Sequence, residues 1–396
     1  MTCALAAPPG EAYPHVVPAT RKKEKDADLV AGRATTQGTS RFAARFASSF
    51  AGDFYRPLPL LQPSASTTDG LLASSIALGT YLGECDAADD ARYVTITRHA
   101  IESGINLVDT AINYRCQRSE CSVGRALART IEAGTAARDE IIVCTKGGYI
   151  PLDETPPASR AEYQALLERE YFSRNVMTPD DVVAGGHCLA PGYLADQIDR
   201  SRTNLHVRTI DLYYLHNPEQ QLDVVDRQTF RTRMRAAFQL LEEKCAAKQI
   251  VAYGCATWNG FRLAPDDRRS LSLVELVELA REVGGQSHHF RVIQLPINLA
   301  LNEALRAPTQ RVGKDTVPLL DAAASLGIAV VASASLMQGQ LTRGLPSQLR
   351  DAIPGFETDA QRALAFVRSL PIAVALTGMR STRHLEENLG AGKQPA

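Results

Sequence analysis

From residue 71 onward, short runs of apolar and β-branched residues alternate with longer segments whose apolar positions recur every three to four residues. The first pattern is that of a buried strand and the second that of a helix lying on it. Read in order, the runs predict strands at 75–79, 106–110, 141–145, 211–215, 251–257, 292–296, 329–333 and 373–378. Helical periodicity predicts helices near 89–103, 119–133, 191–204, 226–247, 271–283, 318–326, 358–369 and 381–390. Eight strand-then-helix units call for a parallel sheet covered by helices, and the count of eight favours an α/β fold of the closed (β/α)8 TIM barrel type. The open doubly wound alternative lacks its signature: no G-x-G-x-x-G follows the first strand, and no G-x-x-x-x-G-K-[ST] occurs.

Two stretches fall outside this rhythm. Residues 1–38 are rich in Ala, Pro and charge without periodicity and read as a disordered or loosely attached extension, with 39–70 as an N-terminal segment attached to the barrel of 71–396. A connection of more than forty residues, 149–190, separates the third strand from its helix. Long loops inside compact domains are usually functional, and this one leaves the carboxyl end of a strand, so it is expected over the active-site mouth as a lid or substrate element. Surface decoration or an oligomer contact is the alternative reading.

Composition narrows the function classes. The 396 residues are 45% hydrophobic and 22% charged, with a formal net charge of −1, which gives no reason to expect nucleic acid or an anionic membrane as a partner. No apolar run is long enough for a membrane span. The N-terminus has no positively charged segment before an apolar one, which speaks against a secretory signal and for a cytoplasmic location; the basic, amphipathic 40–52 leaves a transit peptide as a minority reading. The eight cysteines form no C-x-x-C, and neither His187-Cys188 nor Cys116/Cys121 has zinc spacing, so reduced thiols and no metal are expected.

In a barrel the chemistry sits at the carboxyl ends of the strands. The polar residues at, or just past, those ends are Asp109, Tyr114, Lys146, His216, Thr257, Trp258, Gln294 and Asn298. Four of them make a set. A tyrosine hydroxyl is a poor acid or base near neutrality, a neighbouring ammonium lowers its pKa, and a carboxylate holds that ammonium charged. Tyr114, Lys146 and Asp109 supply these parts, and His216 offers a further hydrogen bond to a substrate oxygen. The set suits hydride addition to a carbonyl. Singly, each has a plain structural reading: a strand-end lysine, an Asx turn at Asp109, a tyrosine covering the barrel mouth, a core histidine. The force lies in all four falling on one rim.

These residues lie in motifs that resemble the aldo-keto reductases. GINLVDTAINYRCQRSECSVGRAL is similar to the family's G-x-x-x-x-D-T-A-x-x-Y segment with its following S-E and G-x-A-L. IIVCTK resembles its third-strand lysine, TIDLYYLHNPE its D-L-Y-x-x-H, QLPINL its Gln and Asn near the sixth strand, and GMRSTRHLEENLGA its C-terminal nucleotide-binding stretch. The resemblance covers roughly 71–391. It implies a catalytic tetrad of Asp109, Tyr114, Lys146 and His216, and a small-molecule carbonyl substrate reduced with NADPH. It implies cofactor contacts from Thr257 or Trp258, Gln294, Ser333, Leu336, Gly378, Arg380, His384, Glu387 and Asn388. An arginine and a helix N-terminus at the last of these favour NADP over NAD.

Three departures from the family pattern stand out. Ser333 occupies the place of an aromatic residue that stacks on nicotinamide, so stacking must come from elsewhere, with Trp258 as the candidate. His384 stands where many relatives carry Gln or Arg. Arg115 and Arg118 replace small residues after the tyrosine, and two readings of them stay open: attraction of an anionic substrate, or pairing with acids of the insertion such as Asp180 or Asp181. The resemblance also leaves two further functions open. One is a cofactor-binding regulatory subunit with little turnover, as the potassium-channel β-subunits of the family are. The other is a pathway oxidoreductase working in the oxidative direction or on an imine. Substrate and oligomeric state are not legible.

Overall fold

The computed structural model describes residues 28–60, 70–153 and 156–396. Helix α1 (Thr36–Arg45) leads into an antiparallel hairpin of β1 (Tyr55–Leu58) and β2 (Leu71–Ser74). The alternation then begins with β3 (Ile76–Gly79), α2 (Ala87–Glu102), β4 (Leu107–Asp109), α3 (Arg118–Glu132) and β5 (Ile142–Gly147). The long connection carries α4 (Arg160–Leu167) and leads to α5 (Pro191–Leu205), followed by β6 (Ile210–His216), α6 (Arg227–Ala246), β7 (Ile250–Ala256), α7 (Leu273–Gly284) and β8 (Phe290–Pro296). A short α8 (Glu303–Arg306) and a small hairpin, β9 (Gln310–Val312) and β10 (Asp315–Val317), precede α9 (Leu319–Leu326) and β11 (Ala329–Ser333). The chain continues through α10 (Ser347–Ala352), α11 (Asp359–Arg368), β12 (Val374–Gly378) and α12 (Thr382–Gly390). Strands β3 to β8, β11 and β12 close into one parallel barrel, so all eight expected strands and the eight expected helices are present. The periodicity does not give α1, the β1–β2 hairpin or the small elements around α8 and α10.

Local chemistry sets the ends of the helices. The side chains of Asp86, Asp226 and Ser381 accept hydrogen bonds from the backbone N–H groups of Asp89, Thr229 and His384, opening α2, α6 and α12. Thr358 and Gln361 form a reciprocal capping box on α11. Alternation along the strands sorts side chains into two apolar layers. On β6, Leu212 and Tyr214 join an inner cluster with Leu107, Ile142, Ala252, Val292 and Val331, while Tyr213 and Leu215 join the layer beneath the helices. Leu58, Leu71 and Ala73 of the hairpin belong to the inner cluster and close the amino end of the barrel. A filled interior leaves the carboxyl rim as the place for a site.

Of the extension expected at 1–38, residues 1–27 lie outside the described residues. Those that follow are tied down. Leu29 and Ala34 are buried, and Val30 pairs with Val207. The tie is Asp211, at the start of β6 and fully buried. Its Oδ1 accepts from the Ala34 N–H at 2.7 Å, and its Oδ2 accepts from the Val143 N–H and from Arg138, both at 2.8 Å.

The long connection is ordered as well. The π turn Glu168–Phe172 docks on α5, where Tyr171 meets the Tyr193 ring at 5.6 Å, Arg200 pairs with Glu170 at 3.0 Å and Arg174 with Asp196 at 2.7 Å. Its two ends meet at the rim, where Tyr149 bridges to His187.

Removing one partner of a buried ion pair leaves the other charge unpaired, at a cost of about 3–5 kcal/mol. Asp211→Ala is therefore expected to lower the unfolding free energy by that amount in urea titrations. It should also open the chain near Ala34 to limited proteolysis. An unchanged midpoint would remove Asp211 from this role.

Candidate active site

Seven strand ends bring the candidate residues together. Asp109 ends β4, Lys146 lies near the end of β5, and His216 ends β6, with Tyr114 in the turn beyond β4. Thr257 follows β7, Gln294 lies on β8, Ser333 ends β11 and Gly378 ends β12. Barrel order runs β4-β5-β6-β7-β8-β11-β12, so the proton-handling set and the candidate cofactor set occupy adjoining arcs of one rim.

Lys146 is the hub of the first arc. It is 1% exposed, and its Nζ donates to Asp109 Oδ1, to the Thr110 carbonyl at 2.8 Å and to the Tyr114 hydroxyl at 3.3 Å. The other carboxylate oxygen of Asp109 accepts from Gln294 Nε2 at 2.9 Å, across the barrel mouth. Burial works against the charge on Lys146, but Asp109 and Tyr114 outweigh it and hold the ammonium above its ordinary pKa. Burial likewise pushes the Asp109 carboxyl up, and Lys146 pulls it back.

Tyr114 departs from the sequence expectation. A neighbouring ammonium was expected to lower its pKa, yet the phenol is raised, because burial outweighs the pull of Lys146. The hydroxyl thus keeps its proton at neutral pH. The His216 ring stands edge-on to Tyr114 at 5.8 Å. Burial and the nearby Lys146 hold His216 well below its ordinary pKa, so it is neutral. Its Nδ1 is buried without a hydrogen-bond partner among the described residues, which leaves Nε2 as the ring's available position for a substrate oxygen.

Three residues that strand-end reading missed shape the mouth. Tyr81, 55% exposed, stands edge-on to Tyr114 at 5.1 Å. Tyr149 stands edge-on to His216 at 4.9 Å, and its hydroxyl accepts from Asn217 Nδ2 at 2.8 Å. His187 is fully buried, its Nε2 is 2.8 Å from the His216 carbonyl oxygen, and its Nδ1 meets Gln221 at 2.8 Å. Gly148 makes this approach possible. Its φ is +144°, and a Cβ there would lie 2.9 Å from both His187 Nε2 and the His216 carbonyl oxygen. Their sequence signal is slight: Tyr81 and Tyr149 follow barrel strands, and His187 lies deep in the insertion.

In the segment after Tyr114, both arginines find an acid that neither reading named. Arg115, Cys116 and Gln117 have φ values of +49°, +52° and +69°, three successive left-handed residues, none of them glycine. Each costs about 1–2 kcal/mol, and the side chains hold them. Arg115 donates to the Glu84 and Asp86 carbonyls at 2.7 and 3.3 Å and pairs with Asp90 at 2.8 Å. Arg118 pairs with the other Asp90 oxygen at 2.8 Å. Gln117 donates to the Leu152 carbonyl and to Asp153. An acid that both arginines share is therefore on α2, and Asp181 accepts from Thr178 within its own turn.

In the second arc, Thr257 is buried with its hydroxyl unpartnered among the described residues, and Trp258 beside it is 43% exposed. Gln294 spends its amide on Asp109, as above. Ser333 presents no ring at the end of β11, and Leu336 is buried in the following turn. Gly378 is exposed. Arg380 forks onto Asp89 at 2.7 and 2.8 Å. His384 is exposed on the first turn of α12, Asn388 is buried, and the Glu387 carbonyl accepts from Gln361 at 3.0 Å. Asn298 folds its own loop, accepting from the Ala300 and Leu301 N–H groups and donating to the Ala334 carbonyl. An unpaired buried hydroxyl at one end of this arc and the N-terminus of α12 at the other suit a dinucleotide, while Arg380 would have to leave Asp89 to meet a 2′-phosphate. Among the described residues, no group of three or more His, Cys, Asp or Glu could hold a metal, and no helix is long and apolar enough to cross a membrane.

Comparison with known proteins gives a concordant result. The model of the "Aldo/keto reductase family" matches residues 75–262. A curated relative, the "Aldo-keto reductase family 1 member C23-like protein" of Equus caballus, is 23% identical over 232 residues; the match spans 58% of this chain and 52%, about half, of that relative's length. Among solved structures, the holo form of aldo-keto reductase AKR11C1 from Bacillus halodurans is similar at a TM-score of 0.56 and 18% identity, covering 86% of this chain and 91% of that one. An aldo/keto reductase from Klebsiella pneumoniae in complex with NADP and acetate is similar at 0.54 and 19% identity, covering 81% and 87%. At these identities the structural likeness speaks to the barrel.

The buried His187 carries a pH signature. Burial lowers its pKa to about 4, below the ordinary 6.5. The unfolded chain then takes up a proton that the folded chain refuses, so stability is full above about pH 6.5 and falls as the pH drops toward about 4. The contribution lost by about pH 4.5 is about 2–3 kcal/mol. His187→Gln is expected to lessen the fall in unfolding free energy between about pH 7 and about pH 4.5 by that amount, leaving the share of the other buried histidines; an equally steep fall would exclude His187 as a source.

Proposed function

We propose that this chain belongs to the aldo/keto reductase family, whose model matches residues 75–262, and that it is an NADPH-dependent reductase that converts an aldehyde or ketone to an alcohol, with Tyr114 as the proton donor. The observation that carries the reading is the hydrogen-bonded line from Gln294 through Asp109 and Lys146 to the Tyr114 hydroxyl, with His216 beside it. The similar Klebsiella pneumoniae enzyme binds NADP, as its complex states, and the same cofactor suits the residues here.

When bound, NADPH supplies the hydride. Thr257 and the Gln294 carbonyl oxygen would hold its carboxamide end, and the first turn of α12 its phosphate end, joined by Arg380 once it exchanges Asp89 for the phosphate. The chain's own residues manage the oxygen. Tyr114 and the Nε2–H of His216 donate hydrogen bonds to the substrate carbonyl, and Tyr114 then gives up its proton as negative charge develops. Lys146, kept charged by Asp109, stabilises the phenolate left behind. A phenol raised by burial is protonated at neutral pH, which is the form reduction requires.

The mouth also suggests the substrate. Tyr81, Tyr149 and Trp258 face it with rings, while Arg115 and Arg118 are paired with Asp90. A neutral, ring-bearing carbonyl compound suits this surface better than a carboxylated one.

Assay NADPH oxidation with neutral and carboxylated aldehydes and ketones. Neutral ring-bearing compounds are expected to give the higher kcat/KM. Tyr114→Phe should lose about 10²–10⁴-fold in kcat while binding NADPH normally. A variant as fast as wild type removes Tyr114 from the mechanism. Oxidation of the product alcohol needs the phenolate, so its rate should climb steadily from about pH 7 to about pH 10. A plateau below about pH 9 would show a Tyr114 pKa lowered rather than raised.

A further inference from the structure

Just outside the proton-handling set, three consecutive backbone amides converge on one side-chain oxygen. Glu219 lies three residues beyond His216, in the turn Pro218–Asp223, and is buried. Its Oε1 accepts from the N–H groups of Trp258, Asn259 and Gly260 at 3.0, 3.1 and 3.2 Å. Its Oε2 is buried with no hydrogen-bond partner among the described residues. A group this buried is held by what it organises, and here that is the loop carrying Thr257 and Trp258.

The same loop is fixed from its far side. The Trp258 carbonyl accepts from Arg262 at 3.2 Å, Arg262 forks onto Glu303 at 2.7 and 3.2 Å, the Gly260 carbonyl accepts from the Leu271 N–H at 2.7 Å, and Phe261 is fully buried. The backbone is thus pinned on both sides, yet the Trp258 indole stands 43% exposed at the rim, next to the unpartnered Thr257 hydroxyl. An aromatic ring held out by a rigid loop is preorganised for a ligand, because the entropy of ordering it has already been spent in folding.

We propose that Glu219 is a positioning residue for the nicotinamide end of the cofactor: by gathering the amides of residues 258–260 on one oxygen, it sets Thr257 and Trp258 at the height and facing from which they meet the cofactor. The inference rests on the NADPH-dependent reading above. What the loop needs is an acceptor at that point. Burial raises the Glu219 carboxyl above its ordinary pKa, so charge is the lesser part of its contribution, and a glutamine carbonyl oxygen can take its place. An aspartate keeps the charge but withdraws the oxygen by one methylene.

The test uses the full chain and its sole tryptophan, so that emission reports on Trp258 alone. Titration of wild type with NADPH should quench that emission saturably. Turnover with NADPH but without quenching places Trp258 away from the cofactor and overturns the proposal. Absence of both binding and turnover defeats the cofactor reading itself, and the proposal with it. Glu219→Gln is expected to keep the KM for NADPH within about threefold of wild type. Glu219→Leu and Glu219→Asp should raise it about tenfold, with kcat at saturation changed by less than about threefold and Trp258 anisotropy lowered. Should the leucine variant not fold, the aspartate variant decides. Wild-type KM and anisotropy in the aspartate variant, or a glutamine variant as impaired as the aspartate one, overturns the assignment.

Discussion

An ammonium group buried in a protein survives only beside an opposite charge, and Lys146 meets that condition through Asp109. The pairing constrains much more than two side chains. It requires β5 to run on past the end of β4, where Asp109 lies level with Cys144, and it recruits Gln294 from the opposite side of the barrel to satisfy the second carboxylate oxygen. The remaining donor capacity of Lys146 is turned on the Thr110 carbonyl and the Tyr114 hydroxyl. The packed interior below, with Leu107, Ile142 and Leu212, keeps water from reaching the pair from the amino end, and the β1–β2 hairpin closes that end.

Around this pair lies a supporting layer drawn from distant parts of the chain. His187 crosses from the long connection to the His216 carbonyl, and it can do so only because Gly148 has no side chain in the way. The connection therefore serves the site through its two ends, while its middle rests on α5. Glu219 does for the Thr257 side of the rim what His187 does for the His216 side: each is a buried polar group that ties down a rim backbone by hydrogen bonding to it.

The barrel and the strand-end residues were legible because both follow from local pattern. Alternation of short buried strands with amphipathic helices gives the architecture, and the carboxyl-end rule then gathers Asp109, Lys146 and His216 without knowledge of their distances. What was not legible depends on tertiary contact. Nothing near residues 28–38 signals that Asp211, far along the chain, accepts from Ala34. The acids of the insertion are nearer in expectation to Arg115 and Arg118 than Asp90, yet α2 packs against α3 and brings Asp90 to them. The direction of the Tyr114 shift failed for a related reason: the nearby lysine is visible in sequence, whereas the degree of burial that outweighs it is not. Glu219 was passed over because nothing in the sequence shows that three amides of the loop after β7 converge on it.

The left-handed turn at Arg115, Cys116 and Gln117 has a consequence for engineering. Its backbone would be easiest for glycine or asparagine, but its side chains reach residues 84–90, at the start of α2, on one side and Leu152 and Asp153 on the other. These three segments are one interchangeable cassette rather than three. A graft that replaces Asp90 or shifts the backbone of 84–86 alone deprives Arg115 of its partners, and one that replaces 152–153 alone costs Gln117 its bond to Asp153. Recombination of specificity loops between relatives therefore has its natural crossover points outside the whole set, not between its members.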